Sequence, residues 1–347
     1  MGDIILILSV SVAFISVIVT YTVYKASSQD HSYLDIDKQY SELLKIALSD
    51  TSLRDYERTS SYYKLDQNDE YKKKYEIYAY MCWNLVETIY DRQKDKKGRF
   101  KLSETWLPVM FDENRLHYTW YKHNLRLFKP EFQAFVTEIL NDIIIIEGNT
   151  KSLNEIYEKF QVDFPADERK TYEHLHMLMA GGEYRLLLAK HRVFEIVIGY
   201  AFVYDNSALN VLWLDYMAID KKFQNAGYGT LLFNRISELK TEGNIGIFLE
   251  VEIPSEEDTH ISDSIRRIRF YERLGAKQLS FEYVLPTVGG GFPMYLYFRP
   301  SPNLKMLPKE NIRKTISSVF RCIHSDVENR EAVLDRFNED IKDEHFD

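Results

Sequence analysis

The sequence predicts three kinds of structure: an N-terminal transmembrane helix, an all-α region, and a mixed α/β (α+β) domain with a mostly antiparallel, twisted sheet and flanking helices. Three observations support this order. An uncharged apolar run comes first, apolar residues at helical spacing follow, and short strand-like runs interrupted by two helices come last. A length of 347 residues suggests two or three domains. The predicted boundaries are 1–25 for the anchor, 26–148 for the helical domain, 152–300 for the α/β domain and 301–347 for a helical tail.

The apolar run extends from Ile4 to Tyr24 and contains no charged residue. As a helix it would be roughly 31 Å long, about the thickness of one hydrocarbon core. A cleaved signal peptide is the alternative, but it would have a basic leader and a shorter apolar stretch. Asp3 precedes the run and Lys25 follows it, which favours a cytoplasmic C-terminal side. We therefore expect a single-pass membrane protein whose α/β domain is cytoplasmic.

Composition restricts the partners of the chain. The net charge of -9 argues against broad nucleic-acid binding, so no nucleic-acid partner is predicted. Two cysteines, Cys82 and Cys322, do not make a disulfide framework, and a reducing compartment is the simpler interpretation. His174 and His176 have no ligand set nearby, so no metal site is predicted.

The helical region contains three apolar stripes, which we interpret as the core of a bundle rather than as a cofactor site. They comprise Tyr40, Leu43, Leu44, Ala47 and Leu48, then Tyr75, Tyr78, Cys82, Leu85, Val86 and Ile89, and finally Phe132, Phe135, Val136, Ile139, Leu140 and Ile143. The stretches "YSELLKIALSDTSL" and "YEIYAYMCWNLVETIYD" weakly resemble uncharacterised helical modules that follow a single membrane span in bacterial proteins. That resemblance implies no chemistry. Residues 26–148 offer a surface for a protein partner or for self-association.

The α/β region begins after the linker "EGNTKS" with a helix that ends at Gly181 and Gly182. Six strand-like runs follow: "YRLLLAK", "FEIVIGYAFVY", "NVLWLDYMAI", "IGIFLEVEI", "LSFEYVL" and "PMYLYFR". Two predicted helices, at about 229–240 and 263–274, interrupt them. Beyond Pro302 one more helix places Ile312, Ile316, Val319 and Phe320 on one face.

A glycine loop, "KKFQNAGYG", joins the strand "LWLDYMAID" to the helix "TLLFNRISELK". Free backbone N–H groups at a helix N-terminus bind anions, and glycines let the backbone approach a phosphate. The loop lacks the Gly-Lys-Ser/Thr of a P-loop and the third glycine of a dinucleotide fingerprint. An ordinary turn is the alternative to an anion site.

Two motifs, one of them in the glycine loop itself, favour an anion site over an ordinary turn. Gln224, Gly227 and Gly229 fit Gln/Arg-x-x-Gly-x-Gly/Ala, and "RIRFYERLGAK" follows about 40 residues later. With "LEVEIP" between them, residues of about 152–300 resemble the GNAT superfamily of acyl-CoA-dependent N-acyltransferases, in particular bacterial members. An arginine-rich start of the second motif departs from the asparagine or alanine that is frequent in the family.

The resemblance implies acetyl-CoA, or another acyl-CoA, as co-substrate and no metal. In the family the first motif holds the diphosphate of coenzyme A. The residues expected to do so here are Gln224, Asn225, Ala226, Gly227, Tyr228, Gly229 and Thr230. The end of the preceding strand, at Met217, Ala218 and Ile219, would present an exposed backbone edge to pantetheine. A backbone N–H there also supports the oxyanion of the tetrahedral intermediate.

The resemblance further implies an acid and a base. Tyr271 would donate to the departing thiolate, or else be a core tyrosine with a structural hydrogen bond. Alternation with Leu249 and Val251 puts Glu250 and Glu252 on one face of a strand. One of them is the expected base or amine-binding group, unless both pair with arginines such as Arg267 or Arg269. Asp215 is a further candidate for the base.

The predicted function is transfer of an acetyl group from acyl-CoA to a primary amine by direct attack in a ternary complex. The alternative is a catalytically silent fold of the same type that acts as a membrane-tethered coenzyme A sensor or scaffold. A fold by itself does not decide between the two.

Overall fold

The computed structural model describes residues 33–93, 105–166, 168–239, 243–254, 261–287 and 289–346. The chain divides into two compact units, Met1–Leu140 (unit one) and Asn141–Asp347 (unit two). The sequence-defined segments 152–300 and 301–347 both fall within unit two.

Unit one is all-α in its described part. Its helices are α1 (residues 33–49), α2 (Tyr56–Ser61), α3 (Glu70–Arg92), α4 (Trp106–His123) and α5 (Pro130–Phe135). The α3 helix begins where the Asp69 side chain accepts a hydrogen bond from the N–H of Lys72, which satisfies one free donor of the first turn. All six residues of the second predicted stripe, on α3, are buried. The first stripe is only partly core, because Leu44 and Leu48 on α1 are exposed.

The third predicted stripe is not one continuous helix. The α5 helix passes into a π-helical turn at Val136–Leu140, and Ile143 belongs to a strand, β1 (Ile143–Glu147). The prediction from helical spacing was therefore wrong at Ile143, which it placed in a helix. The physical reason is the run of four isoleucines, whose β-branched side chains favour extended backbone.

The predicted single-pass membrane location is corrected. Among the described residues, no helix combines the length and the apolar character needed to cross a bilayer. The longest of those helices, α3, has 23 residues but carries charges along its length, including Lys72, Lys73, Lys74 and Glu76. Such side chains are costly in hydrocarbon. The segment from Ile4 to Tyr24, on which the prediction rested, lies outside the described residues.

Unit two is built on an eight-stranded sheet with the order β1-β2-β3-β4-β5-β8-β6, in which β7 pairs with β8. The pairings of the described strands are antiparallel except for β4 with β5, as the sequence predicted for a mostly antiparallel sheet. The strands after β1 are β2 (Tyr184–His191), β3 (Val197–Asn206), β4 (Val211–Ile219), β5 (Gly246–Glu252), β6 (Lys277–Gln278), β7 (Tyr283–Leu285) and β8 (Phe292–Pro300). A second, two-stranded sheet pairs β9 (Met306–Leu307) with β10 (Glu344–His345).

Helices flank the large sheet and connect its strands. They are α6 (Thr150–Asp163), α7 (Tyr172–Ala180), α8 (Tyr228–Ser237), α9 (Ile261–Arg273), α10 (Lys309–Cys322) and α11 (Arg330–Asp335). The parallel strands β4 and β5 are joined through α8, which is the crossover that a parallel pair requires. Residues of α6, α7, α10 and α11 form one apolar cluster with Phe202, Trp213 and Phe248 of the sheet. The C-terminal helices are thus part of the core of unit two.

Candidate active site

The strands β4 and β5 separate partway along their length. Their parallel pairing covers Val211 to Leu214 on β4 and ends at the pair Leu214 and Leu249. Beyond this point β4 continues to Ile219 paired with β3, while β5 continues to Glu252 paired with β8. The backbone edge of β4 from Met217 to Ile219 therefore has no strand partner on the β5 side among the described residues. This separation could not be read from the sequence.

A β-bulge lies where the strands part. On β3, Phe202 and Val203 are consecutive, yet they face Tyr216 and Leu214 of β4, so Asp215 is the extra residue. A bulge bends its strand and redirects the side chain of the inserted residue. Asp215 consequently lines a cavity at the separation instead of continuing the regular alternation of β4.

This central cavity has a volume of about 90 Å³. Its walls come from the diverging strands and from segments distant in sequence. They include Lys170 before α7, Asp215 and Met217 on β4, Glu250 on β5, Tyr271 on α9 and His324 after α10. The structure therefore brings together three of the four predicted catalytic residues, Asp215, Glu250 and Tyr271.

Asp215 is held by a buried cation and a buried phenol. The ammonium of Lys170 lies 2.9 Å from Asp215 Oδ2 and 3.1 Å from Oδ1, and both side chains are less than a tenth exposed. Tyr184 donates a second hydrogen bond to Oδ2. The carboxylate raises the pKa of Lys170 against the effect of burial, so the lysine stays charged. Both oxygens of Asp215 thus already have protein partners.

Glu250 follows Leu249 at the separation and faces the same cavity. Burial, with a smaller effect of the nearby Asp215 charge, raises the pKa of Glu250 to about 7. A hydrogen bond from Tyr283 to Oε1 and the charge of Lys170 act in the opposite direction. Among the described residues no cation forms an ion pair with Glu250. A carboxyl group that titrates near neutral pH is suited to accept and release a proton.

Glu252 is placed differently from Glu250, although both lie on β5. Its Oε2 accepts a hydrogen bond from Ser264 at 3.2 Å and is 3.4 Å from Nη1 of Arg267. An arginine pair was one of the alternatives that the sequence left open for these carboxylates. Glu252 is not among the residues that line the central cavity.

Tyr271 is a buried residue of α9 that lines the cavity. Its ring packs against Phe233 of α8, with centroids 5.3 Å apart, and against Phe270. Burial raises the pKa of Tyr271 to about 12, so the hydroxyl keeps its proton at neutral pH.

The glycine loop ends in the N-terminus of α8, as the sequence indicated. Asn225 and Gly227 have positive φ angles of 60° and 88°, and Gly227 caps the helix without a side chain. The Nε2 of Gln224 donates to the carbonyl of Ile219 at 3.0 Å, which fastens the loop to the end of β4. The first turn of α8 therefore begins beside the end of β4, and the N-terminus of a helix carries the positive end of its dipole.

Several residues of the site were not predicted from the sequence. Lys170 lies in "DERKTYEH", which looks like a solvated charged segment, and Tyr184 and Tyr283 are two of 25 tyrosines. His324 follows a helix assigned only to the core. Their positions depend on contacts across the sheet, and no local pattern marks them.

Another cluster of ionisable groups lies in unit one. Cys82, Glu113 and His117 are buried, and their potential metal-ligating atoms lie within 4.8 Å of one another. The Nη1 of Arg54 is 2.7 Å from Glu113 Oε1, and His117 Nε2 is 3.4 Å from Oε2. The arginine already neutralises the carboxylate. We therefore interpret the cluster as a buried ion-pair network rather than as a metal centre.

Comparison with known proteins assigns the class of this domain. Residues 182–275 match the family model of the acetyltransferase (GNAT) domain. The matched segment runs from β2 through the end of α9 and contains the loop, Asp215, Glu250 and Tyr271. The chain therefore contains a GNAT acetyltransferase domain, and the predicted resemblance is confirmed for these residues. Curated protein sequences gave no match.

Three of the solved structures that match part of this chain are described as acetyltransferases. A protein of Bacteroides thetaiotaomicron described as a GNAT-family acetyltransferase is 24% identical, with 51% of this chain and 96% of that chain covered and a TM-score of 0.42. The ribosomal-protein-S18-alanine N-acetyltransferase of Escherichia coli is 20% identical, with coverage of 47% and 99% and a TM-score of 0.35. Arabidopsis thaliana NAA60, in complex with acetyl-CoA, is 15% identical, with coverage of 45% and 97% and a TM-score of 0.36.

Proposed function

We propose that the protein is an N-acetyltransferase that moves the acetyl group of acetyl-CoA to a primary amine. The observation that carries this proposal is the position of Glu250. Its carboxyl group, with a pKa of about 7, faces a cavity at the separation of β4 and β5. A free strand edge and a helix N-terminus border the same separation. In this proposal the site would supply a base, a backbone edge and an anion cradle within one GNAT domain.

Acetyl-CoA would bind through backbone groups. The N–H groups from Gln224 to Thr230 would hold the diphosphate, helped by the positive end of the α8 dipole. The edge from Met217 to Ile219 would pair with the amide groups of pantetheine as an added strand does. This arrangement directs the thioester toward the cavity, where a β4 backbone N–H would stabilise the oxyanion.

The reaction would proceed by direct attack. The amine nitrogen forms a bond to the acetyl carbon, and the bond from that carbon to sulfur breaks as the tetrahedral intermediate collapses. The nitrogen loses one proton to the carboxylate of Glu250, and the thiolate of coenzyme A gains one proton. The products are an N-substituted acetamide and free coenzyme A. Holding both substrates together supplies much of the rate.

Tyr271 would stabilise the leaving group by hydrogen bonding. Its pKa of about 12 lies above that of an ordinary thiol, about 8.5, so complete proton transfer from the phenol to the thiolate is unfavourable. A phenol that keeps its proton still donates a strong hydrogen bond to a departing thiolate. The proton that the thiolate finally takes up would come from protonated Glu250 or from solvent.

The test uses the full chain. Acetyl-CoA binding is measured by calorimetry, and thiol release is then followed with benzylamine, spermidine, a peptide with a free N-terminus and a lysine peptide. Binding together with thiol release supports the proposal, and Tyr271→Phe should slow release. If acetyl-CoA does not bind, both the cradle and the enzyme are wrong. Binding without release, unchanged in Tyr271→Phe, would instead favour a silent coenzyme A-binding protein.

A further inference from the structure

His324 is a polar residue of the central cavity that the steps of acetyl transfer described above do not use. It lies beyond the matched residues 182–275, two residues after the end of α10, and is 6% exposed. Its side chain lines the cavity together with Glu250 and Tyr271. Among the described residues, Nε2 of His324 has no hydrogen-bond partner. Buried polar atoms are nearly always paired, so an unpaired one in a cavity points to a ligand.

The surrounding core fixes the position of His324. Its backbone N–H donates to the carbonyl of Val319, and the ring of Phe320 meets the imidazole edge to face at 5.9 Å between centroids. The preceding residue, Ile323, is buried and its carbonyl is 2.9 Å from Nε2 of His174. The imidazole is therefore held before any ligand binds.

The imidazole is neutral in this setting. Burial lowers the pKa of His324 well below its ordinary range, and the charge of Lys170 and the neighbouring His174 act in the same direction. A neutral imidazole carries one N–H and one acceptor nitrogen. His324 can therefore accept a hydrogen bond at the working pH without becoming charged.

Several polar side chains of the cavity cannot accept a hydrogen bond from a ligand or already have protein partners. Lys170 and Arg267 carry only donors. Both oxygens of Asp215 are bound by Lys170, and Oδ2 is also bound by Tyr184. Oε1 of Glu250 already accepts from Tyr283. None of these hydrogen bonds occupies Oε2 of Glu250 or Nε2 of His324, although Glu168 and Tyr271 also line the cavity.

We propose that Nε2 of His324 accepts a hydrogen bond from the attacking amine and so makes the site selective for primary amines. This inference rests on the proposed acetyl transfer. A primary amine has two N–H groups and one lone pair. Glu250 takes one N–H, His324 takes the other, and the lone pair is left to attack the thioester. A secondary amine with a single N–H leaves one buried acceptor unpaired, which is the condition under which a site rejects a substrate.

The variants His324→Leu and His324→Gln test this role in the full chain. Leucine removes the acceptor, whereas glutamine retains one. With the panel amine that gives the fastest thiol release, His324→Leu should raise KM for the amine about three- to tenfold, the range expected for one lost hydrogen bond. KM for acetyl-CoA should not change. The preference for that amine over its N-methyl derivative should fall by a similar factor, and His324→Gln should restore most of it.

Three other outcomes would contradict the inference. No thiol release by the wild-type protein with any panel amine would overturn the proposed function and this inference with it. Release that is equally fast with the primary amine and its N-methyl derivative would overturn the inference alone, without need of any variant. A folded His324→Leu protein with unchanged KM and unchanged preference would do the same.

Discussion

Leu214 and Leu249 form the last backbone pair between the parallel strands β4 and β5, and the residue that follows each of them is a carboxylate. Asp215 and Glu250 therefore meet in the cavity that opens where the strands part. Two buried negative charges would repel each other, but Lys170 pairs with Asp215 alone. The asymmetry gives Asp215 a counterion and leaves Glu250, which has none among the described residues, with a pKa near neutrality.

Glu250→Gln should lower kcat by about 10² to 10⁴, the range typical for loss of a general base. The amide keeps the shape of the side chain and an acceptor for Tyr283 but cannot take a proton. Glu252→Gln is the matched control, because Glu252 lies on the same strand and pairs with Arg267. Steady-state thiol release measures both. An equal loss in the two variants would show that Glu250 has no distinct role.

Substitutions of increasing size at Gly229 test whether the glycine loop binds acetyl-CoA. A Cβ atom at this position would lie 3.5 Å from the ring of Phe270, an ordinary contact, so Gly229→Ala should bind acetyl-CoA nearly as the wild type does. The extra methyl groups of Gly229→Val would press on that ring and shift the start of α8. We expect acetyl-CoA affinity to fall about tenfold or more in calorimetry, since about 1.4 kcal/mol is a factor of ten. Normal binding by the valine variant would mean that the loop is an ordinary turn.

Acid should destabilise unit one through Glu113. Interactions with His117 and Arg54 lower the pKa of Glu113 from 4.5 to about 2 against the effect of burial. A carboxyl group with a depressed folded pKa contributes stability that is present above its unfolded pKa and is lost as pH falls through its folded pKa. The melting temperature of the helical signal in circular dichroism should therefore fall between about pH 4.5 and pH 2.

Glu113→Gln should weaken this acid dependence and also destabilise unit one at neutral pH. Removing one partner of a buried ion pair costs about 3–5 kcal/mol, because Arg54 is left without its counterion. Glu42→Gln is a suitable control, since its pair with Lys45 is exposed and contributes little. If the two variants melt alike at neutral pH, the buried network does not contribute to the stability of unit one.

Local patterns in the sequence predicted most of the fold. Strand-like runs and apolar stripes are short-range features, and the second stripe is buried throughout its length. The prediction failed at Ile143, where helical spacing coincided with a β-branched run. The separation of β4 and β5 was not predictable, because it depends on where pairing between distant segments ends.

The residues of the candidate site also fall into two groups, those that a local motif predicts and those that only the folded sheet brings together. The glycine loop, Glu250 and Tyr271 belong to compact motifs, and the resemblance of those motifs to the GNAT superfamily predicted them. Lys170 and Asp215 are 45 residues apart, and Glu250 and Tyr283 are 33 apart, so only the folded sheet brings them together. Sequence alone also could not separate Glu250 from Glu252, since alternation treats them alike. Their partners in the folded protein distinguish them, because Glu252 pairs with Arg267 and Glu250 accepts a hydrogen bond from Tyr283.

The pH dependence of the reaction should report on this electrostatic arrangement. A general base must be deprotonated, so kcat/KM for acetyl-CoA should rise with pH through the pKa of Glu250, about 7. Lys170 lowers this pKa and Asp215 raises it. The acidic limb of the pH profile is the range in which kcat/KM rises. Lys170→Met should therefore move this limb to higher pH, and Asp215→Asn should move it to lower pH.

The two variants should shift the acidic limb in opposite directions, and this makes the prediction specific to Glu250. One amine, used at the same concentration with all three proteins, keeps the titration of the amine itself constant, so differences between the limbs arise from the protein. Both variants break a buried pair and should lose stability, yet a loss of folded protein lowers the rate without moving a limb in opposite directions. Limbs that coincide in the three folded proteins would show that the group titrating in the reaction is not the carboxyl of Glu250.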